Sequence, residues 1–347
     1  MRSHILQTIN RVLRSFDAQV VRRSWLQAAL TTTQPSLAPP LDQPVAPSQP
    51  IKADRCRRIS GLQELEAILE KVETAAKISD DAMREVFKTF EFVPDTSELP
   101  ADPFSVEYSD YQFSLYRRIA NREYSPANEM SDWVDVQAAT RAPFPYYTQS
   151  FRTVSDHLIM AGLIIKTLAL PSGARILEFG PGWGNTTLAL CQMGYHVTAV
   201  DIEQRFLDVI SQRCRGLSCE PILICEDFKA IHTLQEQYDA ILFYESFHHC
   251  SDHQSLIGGL KERLTDGGQV MFASEPITDD FPMPWGVRTD GMSLWAIRNF
   301  GWLELGFTEG YFRTTMRRAG FVVEKHTFEI TDLGKIFVAK PDVRTDE

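Results

Sequence analysis

The chain has no uninterrupted apolar run of about 18 residues, so a membrane-spanning helix is not expected. It has no excess of positive charge either. Its 347 residues hold 35 Lys and Arg against 46 Asp and Glu, a formal net charge of −11, which argues against a general affinity for nucleic-acid phosphates. A small-molecule or neutral glycan partner suits such a chain better. The N-terminus lacks the compact apolar core of a secretory signal, and a cytoplasmic protein is expected. The six cysteines, Cys56, Cys191, Cys214, Cys219, Cys225 and Cys250, include no C-x-x-C pair. A zinc site on Cys214, Cys219 and Cys225 is conceivable. They flank or lie in an expected strand, however, where small buried thiols are the commoner reading, so no metal is expected. At 44% hydrophobic and 23% charged, the composition is globular, with length for one large or two modest domains.

Along the chain, Arg2, Arg11, Arg14, Arg22 and Arg23 share residues 1–30 with Ile5, Ile9, Val12, Phe16 and Val20 at helical spacing, a basic amphipathic helix. It could lie on an anionic membrane surface, dock on a partner protein, target an organelle, or pack on its own protein. Residues 31–54 hold Pro35, Pro39, Pro40, Pro44, Pro47 and Pro50 and form a flexible or polyproline linker. Residues 55–150 read as helical without strand-like alternation. Ser60 and Gln63 form a capping box ahead of LQELEAILEKV, a second helix spans Asp80 to Phe92, and a third runs through DYQFSLYRRIA. This extension either packs beside the domain that follows or acts as a lid.

In ILEFGPGWGNTTLAL, Ile176 to Leu190, an apolar run feeds a turn carrying Gly180, Gly182 and Gly184 and then a helical pattern; a second apolar run, HVTAVDI, reaches Asp201. This is half of a nucleotide-binding βαβ unit, so an adenosine-containing cofactor is expected. The glycine spacing departs from the G-x-G-x-x-G of dinucleotide sites. Glu178, just before the turn, would repel a pyrophosphate but suit an ammonium group. Strands are expected at Ala174–Gly180, His196–Ile202, Pro221–Cys225, Tyr238–Tyr244 and Gln269–Glu275, with helices between them. After a helix through TEGYFRTTMRRAG, the runs FVVEKHTFEI and GKIFVAK, joined by TDLG, predict an antiparallel hairpin at one sheet edge.

These residues resemble the class I S-adenosylmethionine (SAM)-dependent methyltransferases, whose first motif reads acid-x-G-x-G-x-G. The resemblance covers about residues 145 to 340. It implies an α/β fold, a doubly wound, seven-stranded, mostly parallel Rossmann-like sheet, here with an N-terminal helical extension. It further implies SAM as cofactor, with Glu178 near the aminoacyl end, Gly180, Gly182 and Gly184 allowing close backbone approach, and Asp201, with Ile202 beside it, on the ribose hydroxyls. After the third strand the family places an acid on the adenine amino group and an apolar neighbour against the ring, which falls to Asp227 and Phe228, with Glu226 as a substitute; a solvated turn is the alternative. The family also folds the segment before the first strand over the cofactor. In PFPYYTQS that brings Tyr146 or Tyr147 near it.

Ligands of open α/β sheets sit beyond the carboxyl ends of the strands. After the fourth strand the chain reads YESFHHCSDH, Tyr244 to His253. The methyl of SAM is already activated, so a hydroxyl acceptor needs alignment and loss of a proton, and imidazole, with a pKa of ~6.5, suits that task near neutral pH. The string is similar to the ESLHHMPD-type segment of natural-product sugar O-methyltransferases. That likeness implies His248 as general base, His249 as its neighbour or substitute, and Glu245 as a cofactor-side contact; one of the histidines could instead be structural. Glu275, after the fifth strand, would orient a histidine, bind an acceptor hydroxyl, or cap a helix.

Within residues 151–347, the insert over about residues 277 to 307 carries Phe281, Trp285, Trp295, Phe300, Trp302 and Phe307, which suit an acceptor pocket, a dimer surface or a small core. The leading expectation is O-methylation of a sugar, glycan precursor or other small metabolite. Two others stand beside it. The Gly-Trp-Gly turn with Glu245, His249 and Cys250 is faintly similar to cyclopropane fatty acid synthases, which act on lipid, and a non-catalytic SAM-fold interaction module is the third reading.

Overall fold

The computed structural model describes residues 57–78, 80–131, 134–148 and 150–342. The basic helix of residues 1–30 and the linker of residues 31–54 lie outside the described residues. The chain divides into two compact units: one runs through Leu99 and includes Arg288–Asn299, the other holds Pro100–Val287 and Phe300 onward. The division falls at Leu99 and within the insert, whereas the sequence suggested a boundary at residue 150.

In the smaller unit, strand β1 (Arg57–Ile59), helices α1 (Leu62–Ala76) and α2 (Asp80–Phe87) and strand β2 (Phe90–Phe92) follow in order. Three expectations change here. The cap of α1 is Gly61, with no side-chain hydrogen bond, because β1 occupies the chain up to Ile59 and leaves Ser60 one residue short of the cap. The second helix stops at Phe87. Phe90 and Phe92 are buried on either side of an exposed Glu91, a period of two that pairs β2 in parallel with β1 where only helix was expected. Trp295, on the helix Gly291–Asn299, packs on Val72, Ala76 and Met83 of this unit's core.

The larger unit begins with α3 (Val106–Ala120) and α4 (Phe151–Leu168). It then alternates β3 (Arg175–Phe179), α5 (Asn185–Gln192), β4 (His196–Asp201), α6 (Gln204–Cys214), β5 (Ile222–Cys225), β6 (Tyr238–Tyr244), α7 (His253–Leu260) and β7 (Leu264–Ala273). The small pair β8 (Trp285–Val287) and β9 (Leu305–Phe307), helix α8 (Glu309–Arg318) and the strands β10 (Phe321–Thr327) and β11 (Lys335–Pro341) complete it. The seven-stranded sheet has the order β10-β11-β7-β6-β3-β4-β5. Strands β3 to β7 pair in parallel, while β11 is antiparallel to both β7 and β10, the doubly wound sheet with an edge hairpin. β7 begins at Leu264, five residues before the expected Gln269.

The pleat sorts the core into two layers. Ile176, Leu242, Met271 and Val338 meet Met160 and Ile164 of α4, Leu190 of α5 and Ile210 of α6 on one face. On the other, Phe179, Phe243, Phe272 and Phe337 stand in register on four neighbouring strands. Phe243 stacks on Phe179 at 5.3 Å and on Phe272 at 5.1 Å. Among the described residues no helix is long and apolar enough to cross a membrane.

Candidate cofactor and acceptor site

The carboxyl ends of β3, β4, β5 and β6 open into a cavity of about 610 Å3 within the larger unit. Its floor is the glycine turn, whose Gly180, Gly182 and Gly184 have φ of 63°, 54° and 68°. Other residues pay a steric cost in that left-handed region. Asp201, at the end of β4, ties the turn down: its Oδ2 accepts from Gly182 N at 3.1 Å and its Oδ1 from Glu203 N at 2.9 Å. Burial pushes the Asp201 carboxyl up to about 7, although both backbone N–H groups favour its charged form.

Asp201, Ile202, Asp227, Phe228, Glu245 and Tyr147 all line this cavity with the three glycines. Phe228 lies 5.7 Å from the Phe179 ring. Asp227 accepts from Lys229 N at 2.7 Å, so one of its oxygens also caps a turn. Tyr147 stands 5.6 Å from Trp183, the side chain inside the glycine motif, whereas Tyr146 turns to Phe151 and is not on the wall.

Three candidates stand behind the wall. Glu178 shares its strand face with Ile176, so it points under α5, where Thr187 Oγ1 donates to it at 2.6 Å; it does not line the cavity. Burial and the nearby Asp201 carboxylate push its carboxyl up to about 7. Glu275 accepts from the N–H groups of Ser246, Phe247 and His248 at 2.8, 2.9 and 3.2 Å, capping the 3-10 turn Phe247–His249. Its Oε2 also takes His248 Nδ1 at 2.8 Å, which holds His248 buried and off the wall.

His249, next along that turn, is the histidine that lines the cavity. Its ring packs 4.2 Å from that of His248 and 6.2 Å from that of Trp302. His249 Nδ1 lies 3.3 Å from Glu129 Oε2, off the line needed for a hydrogen bond, so the contact is ionic. Burial works to lower its pKa, but Glu129, with Glu304 and Glu275 further out, outweighs that and raises it to about 9.

Several wall residues escaped the sequence reading. Glu129 lies on a 3-10 turn, Pro126–Glu129, that no apolar period marks. His157 sits in the apolar pattern of α4, where burial lowers its pKa to about 4, and its Nδ1 meets the Tyr244 hydroxyl at 2.6 Å. Of the insert aromatics, Trp302 reaches the wall and Phe300 packs on it at 4.7 Å, while Phe281 lies over Gly306. Trp285 and Phe307 are core side chains, each within about 5 Å of His253.

A glycine turn at a helix start, a carboxylate one strand away and a shared cavity are the arrangement by which α/β domains hold adenosine-containing cofactors. Comparison with known proteins narrows this. Residues 176–268 match the family described as Methyltransferase domain. A Haemophilus influenzae protein named "Probable S-adenosyl-L-methionine-dependent methyltransferase TehB" is 25% identical over 40% of this chain and 48% of its own. A ubiquinone biosynthesis O-methyltransferase of Xylella fastidiosa is 31% identical over 32% of this chain and 45% of its own. The chain thus spans about half the length of the curated relatives it matches. A solved DhpI–SAH complex is 19% identical, with a TM-score of 0.43, over 68% of this chain and 98% of that one. Residues 176–268 are thus similar to a methyltransferase domain, and the relatives that the chain matches include proteins named as SAM-dependent methyltransferases and O-methyltransferases.

Proposed function

We propose that this protein transfers the methyl group of SAM to a hydroxyl oxygen of a small polyhydroxylated acceptor, a sugar or comparable metabolite. One observation carries the reading: a single cavity joins the glycine turn and Asp201 to His249, Glu129 and Trp302. The ribose hydroxyls sit on Asp201, the adenine by Asp227 and Phe228, and the flat face of Trp302 receives the acceptor. The methyl carbon leaves sulfur as the new O–C bond forms, the sulfonium becomes a neutral thioether, and the hydroxyl proton passes to the Glu129 carboxylate, which the His249 ring holds at the acceptor. His249, not His248, is the imidazole on the wall, and it serves there as the partner of the Glu129 base rather than as the base itself. Glu275 and His248 hold the turn that presents it, and Glu178 positions α5 through Thr187.

Incubating the full chain with methyl-labelled SAM and separate sets of sugars, nucleotide sugars, phenols and lipid vesicles tests this. Label is expected in a hydroxylated small molecule. His249→Ala is expected to keep SAM affinity while turnover falls at least ~100-fold, the lower range for general base catalysis, because Glu129 loses the ring that holds it at the acceptor. Label confined to the lipid fraction, or turnover untouched by His249→Ala, would remove the reading.

A further inference from the structure

Behind the acceptor end of the cavity, with only His249 on its wall, lie more ligating groups than removal of one proton requires. His248 and His249 lie side by side on the 3-10 turn, and Glu304 arrives from the segment leading into β9. One nitrogen or carboxylate oxygen from each of the three falls within 4.8 Å of the other two. The His248 ring is fixed: with Nδ1 held by Glu275 at 2.8 Å, its Nε2 faces Glu304 Oε2 at 3.8 Å, too far for a hydrogen bond. His249 Nδ1 is buried and makes no hydrogen bond. A carboxylate that clamps one imidazole nitrogen and leaves the other to converge on further donors is the arrangement that orients metal-binding histidines.

We propose that His248, His249 and Glu304 bind a divalent transition-metal ion, Zn2+ or a first-row neighbour, in the wall at the acceptor end of the cavity. Two imidazoles and one carboxylate suit such ions, whereas Mg2+ and Ca2+ take oxygen shells. Zinc bonds of ~2.0–2.1 Å in a tetrahedron set neighbouring ligand atoms about 3.3 Å apart, so the 3.8 Å gap between His248 and Glu304 closes with a shift of roughly half an ångström. A set of three protein ligands leaves a coordination position open, as catalytic sites require. His249 is the ligand on the cavity wall, so that position belongs to the acceptor. The ion would polarise the acceptor hydroxyl there, and Glu129, 3.3 Å from His249, would receive the proton. The sequence reading expected no metal because it looked for thiolates. For its catalytic role this site rests on the proposed methyl transfer; its existence is measurable without any acceptor.

The full chain, stripped with a chelator, is titrated with ZnCl2 by calorimetry, and its metal content is measured by atomic emission. One Zn2+ per chain is expected, with Mg2+ at the same concentration giving no saturable heat. His248→Ala and Glu304→Gln are each expected to weaken Zn2+ binding at least ~10-fold while SAM still binds, which shows that the fold is kept. Where a variant does not fold, X-ray absorption on the wild-type zinc form decides: a shell with two imidazoles supports the site, and a sulfur-containing or all-oxygen shell overturns it. No stoichiometric Zn2+ also overturns it, and full turnover by the metal-free chain overturns the ion's part in catalysis. Zinc bound at these ligands without methyl transfer to any hydroxyl would instead sink the proposed reaction and leave the site standing.

Discussion

Gly182 and Gly184 share a left-handed backbone but face different surroundings, and that separates their roles. A Cβ on Gly184 would lie 2.4 Å from Ile210 Cγ1 of α6, inside the packed layer. On Gly182 it would meet nothing within 4 Å, because that residue faces the cavity. Gly184→Ala therefore combines backbone strain with overpacking and is expected to cost roughly 2–5 kcal/mol of stability. Gly182→Ala carries the strain alone, about 1 kcal/mol, yet places a methyl where the cofactor must approach. Its expected signature is a nearly normal denaturation curve with SAM affinity at least ~10-fold weaker. Denaturation with urea and titration with SAM on both variants measure the two effects separately. Normal SAM affinity in a folded Gly182→Ala chain would mean that the cofactor does not cross this turn.

Among elements, the four-strand phenylalanine row underlies the site, since β3 and β6 end in the turns that build it. Phe243 is fully buried, and its ring lies between those of Phe179 and Phe272. Phe243→Ala is expected to cost roughly 3–5 kcal/mol in urea denaturation, whereas Phe243→Leu, which removes less volume, should lose less. Strands β3, β4, β6 and β7 were legible in the sequence because central parallel strands, buried on both faces, are written as continuous apolar runs. β2 was not, because FEF follows a helix directly and three residues are too few to show their period of two. The residues proposed for the cofactor stood out for a related reason: the glycines and Asp201 lie at the ends of β3 and β4, and Asp227 just past β5. The acceptor half depends on side chains from separate segments. Nothing local to Glu129 or Glu304 records that each will face His249, and the choice between two adjacent histidines is made by Glu275, which clamps one and leaves the other at the wall.

At the scale of the whole molecule, the two carboxyls beneath the cofactor floor link folding to pH. Glu178 rises from 4.5 to about 7 and Asp201 from 3.8 to about 7, in both cases chiefly through burial. Between about pH 4.5 and 7 the folded chain therefore keeps protons that the unfolded chain has released, and stability falls as pH rises through that window. For Glu178 the loss is up to about 3 kcal/mol, complete above pH 7. The ligand-free chain is expected to need more urea to unfold at pH 5.5 than at pH 8. Glu178→Gln keeps an oxygen for the Thr187 hydroxyl and should flatten that difference, with its largest gain at pH 8. Cofactor binding pulls on the same protons. If Asp201 accepts the ribose hydroxyls, its charged form is the binding form, so SAM affinity increases from pH 6 to pH 8 and binding at pH 7 releases protons. Calorimetric SAM titrations in two buffers of different ionisation enthalpy count those protons. Net uptake, or an affinity that falls with rising pH, would place the ribose elsewhere than on Asp201.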